Sequence, residues 1–389
     1  MKKITILLIL VFLCGCSKQP VEATPQELSV NFNDKDIEVY SEVYLHDLVS
    51  NTNAKITSDN KLIDTSKIGK HEYEIKLDLD SKTYTEALQV NVVDTTPPLI
   101  ISGLNKTIEV GYEKDISQLI MFGDNYDRNP SCVIEGAYNV NEVGVYNLNY
   151  IVTDSNNNTT SQEVILNVVN KEDISHDTTP ILFNDIIDAH KTEDTAIGID
   201  VSKWQSEIDF NQVKEAGASF VFMRIGVQTT PNGEISMDSY YLDNIKKAKE
   251  VGLPVGVYLY SIATSMEESI AHANWVIDSL DDEKLDFPIV FDWENWSDFS
   301  KYNLNLFDIN EIASAFITTV ENAGYEGMLY SSKTHLEYIW NTDIFDSVWL
   351  AHYIDQTTYE GKYDFWQLTD SGIIDGIDGY VDINIMYKK

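Results

Sequence analysis

The chain has 389 residues, more than one ordinary domain needs, and its 43% hydrophobic and 11% aromatic content is typical of folded, core-forming protein. Its formal net charge of −36 at pH 7 argues against a nucleic acid as partner, since phosphates require Lys and Arg, and against electrostatic attachment to anionic lipid. We interpret the charge as a source of solubility for a protein outside the cytoplasm.

The N-terminus has the pattern of a processing signal. A basic "MKK" precedes the apolar run "ITILLILVFL", which is too short to span a bilayer as a stable helix. The next residues, "LCGC", resemble the bacterial lipobox, and the resemblance implies a lipoprotein signal peptide at residues 1–15 with a lipid on Cys16. We therefore expect residues 16–27 to be a tether on a protein anchored by lipid to the extracytoplasmic face of the cell membrane. The alternative is an ordinary secretory signal or an uncleaved anchor.

A weak internal repeat follows the tether. "KDIEVY" matches "KTIEVG", with Ile37 and Ile108 lying 71 residues apart, and "LQVNVVD" matches "ILNVVN" at a similar distance. A period of this length indicates two copies of a small domain, and apolar residues that alternate between turns predict short strands. We therefore predict two all-β sandwiches, at residues 28–94 and 95–170.

The second copy carries a family resemblance. The segments "DTTPP", "IEVG" and "VGVYNLNYIVTDSNNN" resemble the bacterial immunoglobulin-like modules of Gram-positive surface proteins. The resemblance implies two immunoglobulin-like modules, which we interpret as spacers rather than adhesion domains. The segment "GDNYDRNP" is rich in oxygen atoms, but it lacks the ligand spacing of a known calcium loop, and turns require the same residues. Residues 171–195, which are polar and acidic, are predicted to be a linker.

The C-terminal half alternates strands and helices, and we assign residues 196–389 to one α/β domain. Capping-box spacings begin helices in the first gaps, whereas the last gaps are too short and turn-rich for full helices. We therefore expect a TIM-like parallel barrel whose last helices are missing. Near-continuous apolar runs predict its eight strands at 196–202, 220–226, 254–261, 287–294, 327–332, 347–353, 364–369 and 381–387.

Four acids fall at or near the ends of these strands. Side chains alternate along a strand, so Asp292 and Glu294 point the same way and Trp293 points the opposite way. Clustered acids repel one another, so the pKa of one should rise, and glycoside cleavage requires a protonated acid beside an ionised carboxylate. The other two acids are Asp200, in "GIDVSKWQ", and Asp382, near the start of the last strand, where strand geometry alone places it less well.

Aromatic side chains are plentiful around the same strand ends, and flat rings are the surfaces on which sugars stack. The candidate substrate-binding residues are Tyr258, Tyr260, Tyr330, Tyr353, Trp366, Trp204 and Arg224. For Trp204, Trp366 and Tyr258 the alternative is a place in the core, and for Arg224 it is a structural ion pair. The histidines show no metal-ligand spacing, so we expect neither a metal nor another cofactor.

Six segments of this half occur in the order of one enzyme family. They are "GIDVSKWQSEIDFNQVKEAGASFVFMRIG", "GLPVGVYLYSIATS", "FPIVFDWEN", "VWLAHY", "FWQLT" and "GYVDIN". The segments cover roughly residues 196–387 and resemble glycoside hydrolase family 25, the lysozymes of the Chalaropsis type. The resemblance implies an N-acetylmuramidase with a (β/α)5β3 barrel.

The resemblance also implies roles for the four acids. Glu294 matches the general acid that protonates the leaving oxygen, and Asp292 matches the partner that assists the substrate's own 2-acetamido group. Asp200 and Asp382 match two further acids that line the cleft and orient the first pair. One position departs from a common pattern, because Leu259 stands in "GVYLY" where many members have a histidine or an aromatic residue.

The function that we expect is therefore hydrolysis of peptidoglycan at the β-1,4 bond between N-acetylmuramic acid and N-acetylglucosamine. Glycan strands would be the partner, and the membrane would be reached only through the lipid. Two alternatives stay open: a wall-binding or adhesion lipoprotein whose barrel grips glycan without cutting it, and an enzyme that cuts another N-acetylglucosamine polymer.

Overall fold

A computed structural model describes residues 26–33, 36–173, 179–281 and 283–388. The expected signal peptide and lipid site at Cys16 lie outside these residues. The chain forms two compact units, Met1–Asp94 and Thr95–Lys389. In the part of the chain that the structure describes, no helix is both long enough and apolar enough to cross a membrane.

The first unit is β-rich. Its strands are β1 (Val30–Phe32), β2 (Ile37–Glu38), β3 (Val49–Thr52), β4 (Lys55–Ile56), β5 (Gly69–Leu79) and β6 (Lys82–Val93). They form a four-stranded sheet of order β2-β6-β5-β4 and a separate β1–β3 pair. Asp80 and Ser81 form the turn of the long β5–β6 hairpin with φ of 51° and 65°, the left-handed backbone that two-residue hairpin loops require.

The second unit begins with another β-rich region, residues 95–170, which repeats this strand plan. Its strands are β7 (Leu99–Ile100), β8 (Asn105–Glu109), β9 (Phe122–Gly123), β10 (Ser131–Glu135), β11 (Gly144–Thr153) and β12 (Thr159–Val169). The sheet order β8-β12-β11-β10 and the β7–β9 pair correspond strand for strand to the first unit. The parallel pairing of β8 with β12 likewise corresponds to that of β2 with β6. The immunoglobulin-like class of both regions stays a prediction.

The remainder of the second unit is a closed barrel. Its strands are β14 (Thr195–Val201), β15 (Val221–Val227), β17 (Val255–Tyr260), β18 (Ile289–Asp292), β19 (Gly327–Ser332), β20 (Val348–Ala351), β21 (Phe365–Ile373) and β22 (Val381–Tyr387), with two short additions, β13 (Ile181–Leu182) on β21 and β16 (Ser236–Met237) on β15. All eight predicted strands are therefore present.

Helices cover the outside of the barrel. They are α1 (Phe183–His190), α2 (Phe210–Glu215), α3 (Tyr241–Glu250), α4 (Met266–Leu280), α5 (Leu306–Asn322) and α6 (Lys333–Tyr338). Helices α2 to α6 join consecutive parallel strands from β14 to β20, so five β/α units precede the last three strands, β20, β21 and β22. The prediction of a barrel that lacks its last helices is confirmed.

Strand β22 reverses direction and closes the barrel. It pairs antiparallel with both β21 and β14, whereas the neighbours from β14 to β21 pair in parallel. As a result the start of β22 lies at the same mouth as the carboxyl ends of the parallel strands. Asp200, near the end of β14, is directly paired with Asp382, near the start of β22.

The predicted linker at residues 171–195 is wrong for much of its length. Strand β13 pairs with β21, and the following helix α1 buries Phe183 and Ile186 against the barrel, with 2% and 6% of each residue exposed. The apolar residues of "ILFNDII" drive this packing, since burying a Phe and an Ile contributes about 1.5–3 kcal/mol each.

Aromatic side chains fill the interior of the barrel below its mouth. Phe220, Phe222, Trp349 and Phe365 pack there edge-on or tilted, and the ring centroids of the contacting pairs lie 4.7–6.1 Å apart. The barrel is therefore a packed core rather than a pore, and its chemistry is confined to the mouth.

Candidate active site

The mouth of the barrel holds a cavity of about 290 Å³. All four predicted acids line it, although they come from three places far apart in the chain: strand β14, the end of strand β18 and strand β22. The lining residues are Asp200, Ser202, Trp204, Gln205, Arg224, Tyr258, Tyr260, Asp292, Glu294, Tyr330, Trp349, Tyr353, Gln367 and Asp382.

Strand β18 places Asp292 and Glu294 on one side of the backbone. Both line the cavity, whereas Trp293 between them is fully buried on the opposite side. The indole of Trp293 packs on Trp296 with ring centroids 4.6 Å apart, and its Nε1 donates a hydrogen bond to the carbonyl of Ala263. The alternation predicted from the sequence therefore holds at this strand end, and Trp293 is a packing residue.

The cavity continues past Glu294. A second cavity of about 390 Å³ shares Glu294, Tyr330 and Tyr353 with the first and extends to Lys333 and His352 at the start of α6 and the end of β20. Glu294 thus stands within a groove with space on both sides, as a polymeric ligand requires.

Asp200 is the best-bonded acid of the mouth. Only 3% of the residue is exposed, and its Oδ2 accepts hydrogen bonds of 2.8 Å from Gln367 Nε2 and from Asn384 Nδ2. These amides are held in turn, because Tyr330 donates to Gln367 Oε1 and Trp349 donates to Asn384 Oδ1, both at 2.8 Å. The carboxylate is therefore fixed by donors that favour its ionised form.

Asp382 lies beside Asp200 and forms a pair of carboxyl groups with it. Burial and the charge of Asp200 raise the pKa of Asp382 to about 9, and its carboxyl hydrogen-bonds to Asp200. Burial also raises the pKa of Asp200, but the hydrogen bonds from Asn384, Gln367 and Asp382 oppose that effect. The raised pKa favours the protonated form of Asp382, which can donate a hydrogen bond to Asp200.

Asp292 is buried without such support. The residue is 5% exposed, and its Oδ1 has no hydrogen-bond partner among the described residues. Burial is the main cause that raises the pKa of Asp292 well above its ordinary value; the charges of Glu294 and Asp200 raise it further, and Arg224 lowers it. An unmet acceptor of this kind at the wall of a cavity is suited to bind a donor on a ligand.

Glu294 is the acid that faces the solvent of the groove. Its side chain is exposed, and the pKa of Glu294 is raised by desolvation at the groove wall and by the charge of Asp200, while Tyr330 acts in the opposite direction. A raised pKa keeps a fraction of this carboxyl protonated above its usual range, which suits a proton donor.

Most of the predicted aromatic residues line the cavity. Tyr258, Tyr260, Tyr330, Tyr353 and Trp204 do so, and Trp204, which is 74% exposed, forms its rim. Trp204 is therefore not a core residue, whereas Tyr258 lines the cavity and also packs edge-on against Trp349 of the barrel core. Leu259, the departure from the family pattern, is fully buried and points toward the helices, so it does not contact this cavity.

Trp366 is a correction. It does not line the cavity but lies in the core with 3% of its surface exposed, its ring edge-on to His190 of α1 and its Nε1 donating to the carbonyl of His352. Phe365 and Gln367 point into the barrel, and alternation along β21 therefore turns Trp366 outward.

Arg224 has both of the roles that the sequence left open. Its Nε and Nη2 donate to Asp238 Oδ2 at 2.8 and 2.7 Å in a buried ion pair, and its side chain also borders the cavity. Asp238 further accepts from the backbone of Lys203, next to Trp204. The pair thus fixes the rim and supplies positive charge near Asp292.

Comparison with known proteins identifies the domain. Residues 199–377 match the family model for glycosyl hydrolases family 25. The uncharacterized protein YegX of Escherichia coli K12 is 30% identical over 203 residues, a match that covers 49% of this chain and 69% of that protein. This chain belongs to glycosyl hydrolase family 25. It is a glycoside hydrolase, and the barrel is its family 25 domain.

Other relatives match the same share of the chain. The autolytic lysozyme of Clostridium acetobutylicum is 27% identical over 189 residues, covering 48% of this chain and 54% of that protein. Among solved structures, a family 25 glycosyl hydrolase from Bacillus anthracis has 22% identity and a TM-score of 0.44, covering 51% of this chain and 92% of that chain.

Sequence reasoning missed four polar or aromatic groups of the family 25 domain. Gln367, Asn384 and Trp349 build the network around Asp200, and Asp238 pairs with Arg224. The first three stand inside the segments "FWQLT", "GYVDIN" and "VWLAHY", so those segments held the signal. Asp238 lies in a loop segment with no such marker.

Proposed function

We propose that this family 25 enzyme is a peptidoglycan hydrolase, an N-acetylmuramidase that cleaves the β-1,4 bond between N-acetylmuramic acid and N-acetylglucosamine. The observation that carries the proposal is the pair Asp292 and Glu294 inside a groove that continues on both sides of Glu294 and has aromatic walls. The name of the clostridial relative, an autolytic lysozyme, supports the same substrate class.

In the proposed reaction Glu294 donates its proton to the glycosidic oxygen as the bond to the anomeric carbon breaks. The 2-acetamido oxygen of the same sugar attacks that carbon, and Asp292 accepts a hydrogen bond from the acetamido N–H. Glu294, now ionised, then takes a proton from the water that opens the cyclic intermediate, which restores the starting state.

The unmet acceptor of Asp292 supports this division of roles. Without substrate the two acids resist simultaneous ionisation, and Asp292, being more deeply buried, competes with Glu294 for the proton. An N–H donor from the substrate stabilises ionised Asp292 and lowers its pKa, which leaves the proton on Glu294. Binding of the correct sugar therefore sets the acid for the first step.

Asp200 and Asp382 are proposed to act through charge rather than by contact with the reacting atoms. The charge of Asp200 raises the pKa of Glu294, and the amide donors of Gln367 and Asn384 hold the Asp200 carboxylate in place. The tyrosines and Trp204 would hold the sugar rings, and no step of this scheme requires a cofactor.

The predicted location completes the proposal. A lipid on Cys16 would anchor the enzyme at the extracytoplasmic face of the membrane, where peptidoglycan is within reach. Metabolic labelling with a lipid precursor, compared between the wild type and Cys16→Ser, tests this; equal labelling of the two would contradict it.

The main alternative, glycan binding without cleavage, is separated by one experiment. Purified peptidoglycan is incubated with wild-type protein and with Glu294→Gln, and sedimentation with the walls and release of reducing ends are measured together. The proposal predicts that both proteins sediment and that only the wild type releases reducing ends. Sedimentation of the wild type without release would establish a binding protein instead.

A further inference from the structure

The residues after Glu294 form a segment that is held from two sides. Residues 295–305, which we call the acid segment, join the catalytic strand β18 to helix α5 and contain a 3-10 helix, Trp296–Lys301. On the barrel side, Trp296 stacks on His335 with ring centroids 4.3 Å apart, and Phe299 is 2% exposed. The other side of the segment faces the β-rich region of residues 95–170.

The β-rich region contacts the acid segment through polar bonds. The backbone N–H of Leu306 donates to the carbonyl of Asp124 at 2.8 Å, and Asn305 Nδ2 donates to the carbonyl of Tyr126 at 2.9 Å. Asn129 Nδ2 donates to Asn303 Oδ1 at 3.0 Å. Asn303, Asn305 and Leu306 are thus all hydrogen-bonded to a single loop, residues 124–130.

The same loop bonds the start of helix α5. Asn305 and Asp308 form the capping box of α5, in which Asn305 Oδ1 accepts from the N–H of Asp308 and Asp308 Oδ2 accepts from the N–H of Asn305. Arg128 forms a bidentate ion pair with Asp308, in which its Nε and Nη2 lie 2.6 and 3.0 Å from the two carboxylate oxygens. The cap and the neighbouring domain therefore form one network.

The apolar contact between Gly123 and the barrel domain is too close to admit a side chain at residue 123. Strand β9 ends at Gly123, where a Cβ atom would lie 2.8 Å from Leu306 Cδ2 and 3.5 Å from Phe299 Cε1. Leu306 and Phe299 are buried, so neither side chain can move far. A glycine at residue 123 is what permits the β-rich region to approach the acid segment so closely.

The loop is also what distinguishes the two β-rich regions. In the first, strands β3 and β4 are joined by residues 53–54 alone, whereas the corresponding strands β9 and β10 are joined by residues 124–130. The additional residues in the second copy include every polar partner described above. A spacer has no use for such a loop.

We propose that residues 95–170 are a positioning element of the active site: through Gly123 and the loop 124–130 they hold the acid segment, and with it Glu294, in register with Asp292. Arg128 is then a positioning residue and not a catalytic residue. The inference rests on the proposed role of Glu294 as the general acid. It replaces our interpretation of this region as a spacer.

The test compares full-length variants. Gly123→Val inserts atoms against Leu306, Arg128→Ala removes the ion pair, and Arg128→Lys keeps the charge. Lys247→Ala is the matched control, because Lys247 lies on helix α3 and its removal breaks exposed ion pairs with Asp243 of the same helix and with Glu207, which precedes helix α2. For each variant, hydrogen exchange of the acid segment, kcat, KM and the pH dependence of kcat on soluble glycan fragments are measured.

We expect Gly123→Val to speed exchange in residues 295–306 and to lower kcat about 10- to 100-fold with KM within a factor of about two. Arg128→Ala should lower kcat about threefold, with Arg128→Lys in between and Lys247→Ala unchanged. Water admitted beside Glu294 should move the alkaline limb of the profile to lower pH.

Two results would overturn the inference. One is normal exchange in the acid segment of both Gly123→Val and Arg128→Ala; the other is faster exchange with kcat and the alkaline limb at wild-type values. If Gly123→Val does not fold, the Arg128 series decides alone. Activity retained by Glu294→Gln would instead refute the proposed role of Glu294, whatever the exchange data show.

Discussion

The two acid pairs of the cavity differ in how their oxygens are bonded. Asp200, on the side formed by β14 and β22, accepts from Gln367 and Asn384 and hydrogen-bonds to Asp382. Asp292, on the side formed by β18, is equally buried, yet its Oδ1 has no partner among the described residues, and Glu294 opens to the groove.

This difference indicates which acids support the site and which can interact with a substrate. A buried carboxylate that is fully bonded has little left to offer a substrate, whereas an unbonded one costs stability until a ligand supplies the missing donor. We therefore assign the reacting groups to the β18 side and the supporting charge to the β14–β22 side. Substitutions of Glu294 and Asp292 should therefore lower activity with little loss of stability, whereas substitution of Asp200 should lower stability with a smaller loss of activity.

The largest effect is expected from Glu294→Gln on the β18 side. Removal of the proton donor should lower kcat about 10²- to 10⁴-fold, because that is the usual contribution of a general acid. The melting temperature should change little, since the side chain is exposed. Reducing-end release and thermal unfolding of the same preparation measure both. A variant with more than a tenth of wild-type kcat would place the acid elsewhere.

Asp292→Asn should follow, with a loss of about 100-fold in kcat, since the amide no longer orients the acetamido group by charge. Its thermal stability at pH 8 should be equal to or above that of the wild type, because burial raises the pKa of Asp292 and ionisation there works against folding. Calorimetry at pH 8 tests this. A clear fall in melting temperature would show that Asp292 has a stabilising partner and would end the contrast between the pairs.

Asp200→Asn should reverse the balance between activity and stability. The uncharged amide oxygen accepts more weakly from Gln367 and Asn384, and the amide NH2 group places a donor where the other carboxylate oxygen was an acceptor, so the free energy of unfolding should fall by about 1–3 kcal/mol. The loss in kcat should be smaller, about tenfold, with the alkaline limb shifted to lower pH because the charge that raises the pKa of Glu294 is gone. Denaturant unfolding and a pH–rate profile separate the two effects. Unchanged stability would contradict the bonded character of this pair.

Asp382→Asn should have the smallest effect on activity, about threefold or less, because the amide can donate to Asp200 as the protonated acid does. The substitution should instead change how the stability of the fold depends on pH. The folded pKa of Asp382 lies above its ordinary value, so its proton stabilises the fold fully at low pH, and that contribution is lost as pH rises toward about 9. The wild type should therefore lose more melting temperature than Asp382→Asn between pH 5 and pH 9. Parallel curves for the two proteins would show that Asp382 holds no such proton.

How far the sequence could predict this site depends on strand direction. Alternation along one strand was enough to place Asp292 and Glu294 together and Trp293 apart, since period two holds whatever the neighbours are. Asp382 was harder to place because an apolar run looks the same in parallel and antiparallel strands. Only the antiparallel pairing of β22 with β14 brings its first residues to the mouth.

Side-chain facing on β21 was beyond the sequence for a different reason. Strands of this barrel are buried on both faces, so hydrophobicity does not alternate, and nothing in "FWQLT" shows which residues face inward. Trp366 was therefore assigned to the cavity, whereas Gln367, which contacts Asp200, was not named.

Contacts between domains were the least predictable feature. Residues 124–130 have the composition of a turn and could be judged only against a calcium loop, because the partner segment lies about 180 residues further along the chain. The comparison of the two repeats held one usable signal, the longer connection between β9 and β10. Helix α1 was missed because it is short and stands in a polar stretch.

The ends of the glycan fragments that the enzyme releases decide directly whether it is an N-acetylmuramidase. Purified peptidoglycan is digested with the wild type, with Glu294→Gln as the blank, and the fragments are reduced and analysed by mass spectrometry. An N-acetylmuramidase should release fragments that carry reduced N-acetylmuramic acid at the reducing end, and only in the wild-type digest. Fragments that end in N-acetylglucosamine, or the same fragments from the Glu294→Gln digest, would contradict it.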